Sequence, residues 1–212
     1  MYITHLPTGT AFTVLPNPFY ILSVDPGSTN LGIRIEKRFI TGKIEAIFFH
    51  VLNLRESEFH EILTSVLNVL DDMMKWIKKC HIIIIEQQIS KINPKITRVF
   101  ERMLSYLIVK LERSRLNPKI FELDSKAVKR FFGMPRGKNK KIKEYVAICS
   151  EKILERGGDQ ESLDKLRGLS KALRNQLDDV VGQIETICQL EKYVTVLSSK
   201  NIQTLQKKYK NL

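Results

Sequence analysis

The chain is poor in cysteine, has no long apolar run and carries fewer acids than bases. Only Cys80, Cys149 and Cys188 are cysteines in 212 residues. Their odd number and wide spacing make neither a disulfide framework nor a metal-ligand pattern, which points to an intracellular, reducing compartment. His5, His50, His60 and His81 show no zinc spacing. No apolar stretch approaches the ~20 residues that span a bilayer, so no membrane partner is expected. The opening MYITHLPTGTAFTVLP has neither a basic n-region nor an apolar h-region, which argues against a secretory signal. Internal repeats and low-complexity segments are missing as well.

What is present is an ordinary globular composition with a strong bias of charge. The chain is 43% hydrophobic and 27% charged, enough apolar material for a real core. Its formal net charge is +12 at pH 7. Such an excess suits a polyanionic partner, because each Lys or Arg placed near a phosphate releases condensed counterions.

Residues 1 to 18 hold three prolines and no sustained period, and read as an irregular arm. FYILSV, Phe19 to Val24, reads as a buried strand that ends at Asp25. Pro26 and Gly27 turn the chain, Leu31 to Ile35 alternates as a second strand, and Ile44 to Leu54 forms a third. Short turns between them imply an antiparallel meander. Residues 57 to 79 adopt helical period, with Phe59, Ile62, Leu63, Val66, Val69, Leu70, Met73 and Met74 on one stripe. HIIIIE, His81 to Glu86, suits a central strand covered on both faces. Ile96 to Leu111 predicts a helix opened by Pro94, Lys119 to Leu123 a short strand, Ser125 to Phe132 a short helix, and residues 139 to 156 a longer one. Gly157 to Leu169 reads as a polar connection. Leu177, Val180, Val181, Ile184 and Cys188 then define a last helical stripe. Three meander strands, helix, strand, helix, strand and helices make an α/β order that matches the RNase H-like fold, a mixed five-stranded sheet flanked by helices.

Two carboxylates stand out. In DPGSTNLG, Asp25 to Gly32, an aspartate at the carboxyl end of the first strand precedes a tight turn, and its glycines permit close backbone approach. Glu86 follows four isoleucines, where burial disfavours the charged form unless a cation or a hydrogen-bond network compensates it. With the first and fourth strands as neighbours, Asp25 and Glu86 converge, and two hard oxygen ligands on rigid strands suit Mg²⁺ or Mn²⁺. LDDVVG, Leu177 to Gly182, places Asp178 and Asp179 in the first turn of the final helix, where the helix dipole favours acids in any case.

DPGSTNLG is similar to the first motif of RuvC-type Holliday junction resolvases, and IIIIEQQ resembles their second. LDDVVG near the C-terminus looks most like the resolvases of poxviruses and other large DNA viruses, whose setting would be the cytoplasm of an infected cell. The resemblance spans roughly residues 20 to 192 and implies a nuclease domain over 19–192, between the arm at 1–18 and a basic tail at 193–212. It also implies two divalent ions that activate a water for attack on a scissile phosphate, with Asp25 bridging them and Glu86 and Asp179 each holding one. The sequence departs from the family pattern twice. Gly182 stands where a fourth acid is usual, leaving Asp178 or Glu185 to fill that role. Ile89 stands where bacterial members carry an aromatic residue used against junction bases.

Around this site the basic segment 126–143, with Arg136, Lys138, Lys140, Lys141 and Lys143, suits sequence-independent phosphate contacts. Lys91, Lys95 and Arg98 follow Glu86 closely and would position the cleaved strand. Paired cuts across a four-way DNA junction require two active sites, which a C2 homodimer provides. The stripe Phe100, Met103, Leu104, Leu107 and Leu111 serves either that dimer or the monomer core. Another RNase H-like nuclease, acting on flaps or RNA–DNA hybrids, and a junction-binding protein without catalysis are the competing readings. An actin-like ATPase shares the first motif but needs a second glycine-rich half, which nothing after residue 90 supplies.

Overall fold

A computed structural model of the chain describes residues 15–27, 29–54, 58–88, 94–112, 118–124, 128–129, 131–133 and 139–196; the side chains of 139–141 and 190–196 fall outside that description. Five strands form one sheet: β1 (Phe19–Pro26), β2 (Asn30–Arg38), β3 (Ile44–Asn53), β4 (Ile82–Glu86) and β5 (Lys119–Leu123). The helices whose bounds lie within the described residues are α1 (Phe59–Asp72), α2 (Met74–Ile77), α3 (Pro94–Leu111), α4 (Asn139–Gly157), α5 (Gln160–Gly168) and α6 (Lys171–Val196). The strand order is β3-β2-β1-β4-β5. The first three strands pair antiparallel, and β4 and β5 add in parallel. This is the mixed sheet that the sequence order implies.

Strand periodicity divides the sheet into two unlike faces. Leu22 and Val24 of β1, Ile33 and Ile35 of β2, and Ile83 and Ile85 of β4 belong to one apolar cluster with Ile62, Val66 and Leu70 of α1 and Val99, Met103 and Leu107 of α3. Each such side chain contributes roughly 1.5–3 kcal/mol on burial. The opposite face carries Ile21, Ser23 and Asp25 on β1, Ile82, Ile84 and Glu86 on β4, and Gly32, Arg34, Glu36 and Arg38 on β2. Helix α6 lies across that face, meeting Ile21, Ile82 and Ile84 with Ile184, Ile187 and Cys188. All buried charge on the sheet is therefore gathered on one side.

Three expectations change. Gly157 to Leu169 is not simply a connection: Asp159 caps α5 by accepting from the Ser162 backbone N–H, and Leu163 and Leu166 are buried. The final helix begins at Lys171, so Asp178 and Asp179 lie in its third turn, and the dipole of the first turn does not account for them. In α3, Phe100, Met103, Leu107 and Leu111 are all spent on the monomer core, leaving Ile108 and Val109 as the exposed apolar residues of that helix. Residues 1–14 and 197–212, most of the arm and tail, lie outside the described residues, and α6 runs past residue 192 to Val196. Cys80, Cys149 and Cys188 form no disulfide.

Candidate metal centre

The sheet register brings the acids together. Val24 and Ile85 are partners across the parallel β1–β4 pair, so Asp25 and Glu86 are the next residues along neighbouring strands and share the α6 face. Asp25 pairs with Gly32 across β1 and β2. A Cβ on Gly32 would stand 2.6 Å from the Gln176 carbonyl oxygen, and one on Gly27 would stand 2.8 Å from Gln176 Oε1. Gly32 therefore admits the backbone of α6 against the strand ends, and Gly27 admits the Gln176 side chain. Asp179, three residues beyond Gln176, then interacts electrostatically with both strand carboxylates.

These three acids are poorly compensated. Asp25 is 5% exposed, and no described residue donates a hydrogen bond to its carboxylate or to that of Asp179. Burial, then repulsion from Glu86 and Asp179, raises Asp25 well above the usual carboxylate range. Burial and Asp179 push Glu86 to about 8, against a hydrogen bond from Gln183 and the charge of Lys129. Burial and the neighbouring Asp178 push Asp179 to about 6, opposed by Lys129 and Lys143. Two acceptor oxygens nearby, Asn30 Oδ1 and Gln176 Oε1, are also buried without a hydrogen-bond partner. The donors are all hard oxygens, and this chemistry fits a Mg²⁺ or Mn²⁺ ion. Among the described residues, no three such side chains are already drawn into a cage around an ion site.

Asp178 does not join the group. Its Oδ1 accepts from Ser150 Oγ at 2.6 Å and its Oδ2 from Arg174 Nε at 3.2 Å, tying α6 to α4. Glu185 is equally committed: Arg38 and Arg156 hold its two oxygens at 2.6 and 2.5 Å. Neither acid supplies the carboxylate missing at Gly182. A Cβ on Gly182 would meet Val128 Cγ1 at 3.3 Å and Phe132 at 3.8 Å, so that position is closed by apolar neighbours.

Of the expected DNA-contacting residues, Lys143 lies close enough to lower the pKa of Asp25 and Asp179. Lys129, from the same basic segment 126–143, acts likewise on Glu86 and Asp179. Arg98 is held over the Phe59 ring at 4.3 Å, on the α1–α3 side of the sheet. Lys95 stands exposed in the first turn of α3. Lys91, Arg136 and Lys138 lie outside the described residues, as do the side chains of Lys140 and Lys141. Sequence reasoning missed Gln183, whose Nε2 donates to Glu86 Oε2 at 3.0 Å, and Ser23, whose Oγ donates to Gln183 Oε1 at 2.6 Å. The available signal was spacing: Ser23 precedes Asp25 by two on the same strand face, and Gln183 follows Asp179 by four on the same helix face.

No protein-family model matches the sequence, and no curated protein does. Solved structures do match the fold. A Thermus thermophilus RuvC structure superposes with a TM-score of 0.52 at 12% identity, over 81% of this chain and 96% of that one. RuvC of T. thermophilus in complex with Holliday junction substrate gives 0.53 at 17% identity, over 79% and 92%. The yeast mitochondrial Holliday junction resolvase Ydc2 gives 0.54 at 14% identity, over 87% of each chain. The chain shares the RuvC-type, RNase H-like fold.

Proposed function

We propose that the protein is a divalent-metal-dependent endonuclease that resolves four-way DNA junctions. The observation that carries this reading is the meeting of Asp25, Glu86 and Asp179 at the strand ends with only Lys129 and Lys143 opposing their repulsion among the described residues. The fold shared with RuvC-type resolvases, one of them solved with a Holliday junction, supports the same substrate class. In this proposal Asp25, Glu86 and Asp179 hold Mg²⁺ or Mn²⁺, which supplies an activated water and stabilises charge on the attacking and leaving oxygens. Lys129 and Lys143 draw the phosphate backbone toward the acids, and the basic stretch through Arg136, Lys138, Lys140 and Lys141 extends that contact along the strand. Symmetric nicking requires two such sites, which a homodimer supplies.

A labelled four-way junction, incubated with and without Mg²⁺ or Mn²⁺, tests the proposal. Ion-dependent, paired nicks are expected, with little cutting of linear duplex, flap or RNA–DNA hybrid. Equal cutting of those substrates removes the junction specificity. A second reading, junction binding without cleavage, is favoured by one observation: Gly182 has no carboxylate, and Asp178 and Glu185 are both engaged elsewhere. Tight binding with no ion-dependent nick establishes that reading instead.

A further inference from the structure

The α6 face carries a polar relay directly behind the acids, and its two hydrogen bonds run in a definite direction. Ser23 is wholly buried on β1 and Gln183 is 1% exposed on α6. A buried serine hydroxyl and a buried amide are costly unless each finds a partner. Here the Ser23 hydroxyl donates to Gln183 Oε1, which turns the amide so that Nε2 faces Glu86 and donates to Oε2. The same side of the sheet and the same helix face thus carry two layers. Asp25, Glu86 and Asp179 form the outer one, and Ser23 and Gln183 the inner one, before the packing turns apolar at Ile21, Ile82, Ile84 and Ile187.

We infer that Gln183, oriented by Ser23, is a positioning residue that fixes the Glu86 carboxylate for a divalent cation. Its N–H occupies Glu86 Oε2 and holds the carboxylate plane, while Glu86 Oε1 receives no hydrogen bond from any described residue. An amide performs this task where a second carboxylate would add repulsion to three acids that already repel one another, and where an ammonium would compete with the ion. The inference deepens the metal reading above and depends on it. Partners that orient a metal-ligating carboxylate typically contribute ~10–100-fold to metal affinity.

Direct Mn²⁺ binding to the metal-free full chain, followed by electron paramagnetic resonance without DNA, tests this. Gln183→Leu keeps a side chain of similar reach and removes the donor. Gln183→Glu keeps the length and replaces the donor with a charge. Thermal unfolding and metal-free junction binding check that each variant is folded. The expected result is a Mn²⁺ isotherm for Gln183→Leu shifted ~10-fold or more to higher concentration, with junction binding unchanged. Should that variant fail to fold, Ser23→Ala removes only the hydroxyl that orients the amide, and a shift of a few-fold is expected. A Gln183→Leu isotherm that superposes on the wild-type curve overturns the inference and leaves the metal centre standing. Wild-type protein that takes up no Mn²⁺ overturns both.

Discussion

Two groups of acids lie between the same face of the sheet and helix α6, and differ in one respect. Glu36 and Glu185 have arginines: Glu36 accepts from both Arg34 and Arg38, and Arg38 also reaches Glu185 at 2.6 Å. Arg34 in addition pairs with Asp159 at 2.6 Å, bonds to Ser162 Oγ and lies over the Phe49 ring at 4.6 Å. Burial alone would raise Glu36, but Arg38 and Arg34 outweigh it and hold its pKa below the ordinary value; Arg38 does the same for Glu185. Asp25, Glu86 and Asp179 have no arginine partner among the described residues, only the charges of Lys129 and Lys143 opposing them, and their pKa values move upward. Arg34 pairs in register with Ser23, beside Asp25, yet Glu36 and Asp159 claim its guanidinium. A fold able to neutralise one buried acid group leaves the next repelling itself, which is the electrostatic condition a divalent cation relieves.

The comparison is broken most forcefully at the acids without arginines. Asp25→Asn and Glu86→Gln are each expected to lower ion-dependent junction cleavage by at least ~100-fold, while metal-free junction binding changes little, because a bound ion supplies several kcal/mol of transition-state stabilisation. Near-normal cutting by either variant, measured as initial nicking rates, removes that residue from the site. In the compensated group the effect falls on stability instead. Glu36→Gln removes the carboxylate that Arg34 and Arg38 share, leaving Arg34 with Asp159 and Arg38 with Glu185, and is expected to cost about 1–3 kcal/mol in urea unfolding, with no metal dependence. A loss below about 1 kcal/mol would mean that the arginines find other partners.

A pH series separates the two groups by sign. Glu86 has an ordinary value of 4.5 and a folded value of about 8, so its ionisation opposes folding between those limits. Its contribution is most favourable below 4.5 and is lost as pH rises through 8. Metal-free Glu86→Gln is therefore expected to be more stable than wild type at pH 8, by an amount of the order of a few kcal/mol that shrinks toward pH 5. A difference that stays constant with pH contradicts the assignment. The smallest effects belong to the periphery. Asp178→Asn weakens the ties to Ser150 and Arg174 and is expected to cost about 1–2 kcal/mol in stability, with cleavage kept within a few-fold. Lys143→Ala is expected to reduce the salt slope of junction binding by about one.

Much of the fold was legible from the sequence because hydrophobic runs ended in acids. FYILSVD and HIIIIE placed β1 and β4, with Glu86 the last residue of β4 and Asp25 one residue before the end of β1 at Pro26. The charged face of β2 was harder to read. Alternation shows that Arg34, Glu36 and Arg38 share a side, but only the packing of α5 and α6 shows that this side is covered. Helix α5 escaped notice because QESLDKLRG is short and mostly polar, its stability resting on the Asp159 cap and on Leu163 and Leu166. Asp178 and Asp179 are adjacent and chemically identical in the sequence. Ser150 and Arg174 tell them apart, a tertiary fact with no local signature. Gln183 and Ser23 went unread for the same reason, since their meaning lies in a contact across 160 positions.

Among the described residues only Lys129 and Lys143 oppose the mutual repulsion of Asp25, Glu86 and Asp179, and a divalent ion would supply the remaining counter-charge. Thermal unfolding of the wild-type chain and Asp25→Asn at pH 8, with and without Mn²⁺, tests it most directly. Stabilisation of the wild type by about 2–3 kcal/mol once Mn²⁺ reaches ~100 times its dissociation constant, absent from Asp25→Asn, is the expected result. An equal shift in both proteins, or none in the wild type, contradicts it.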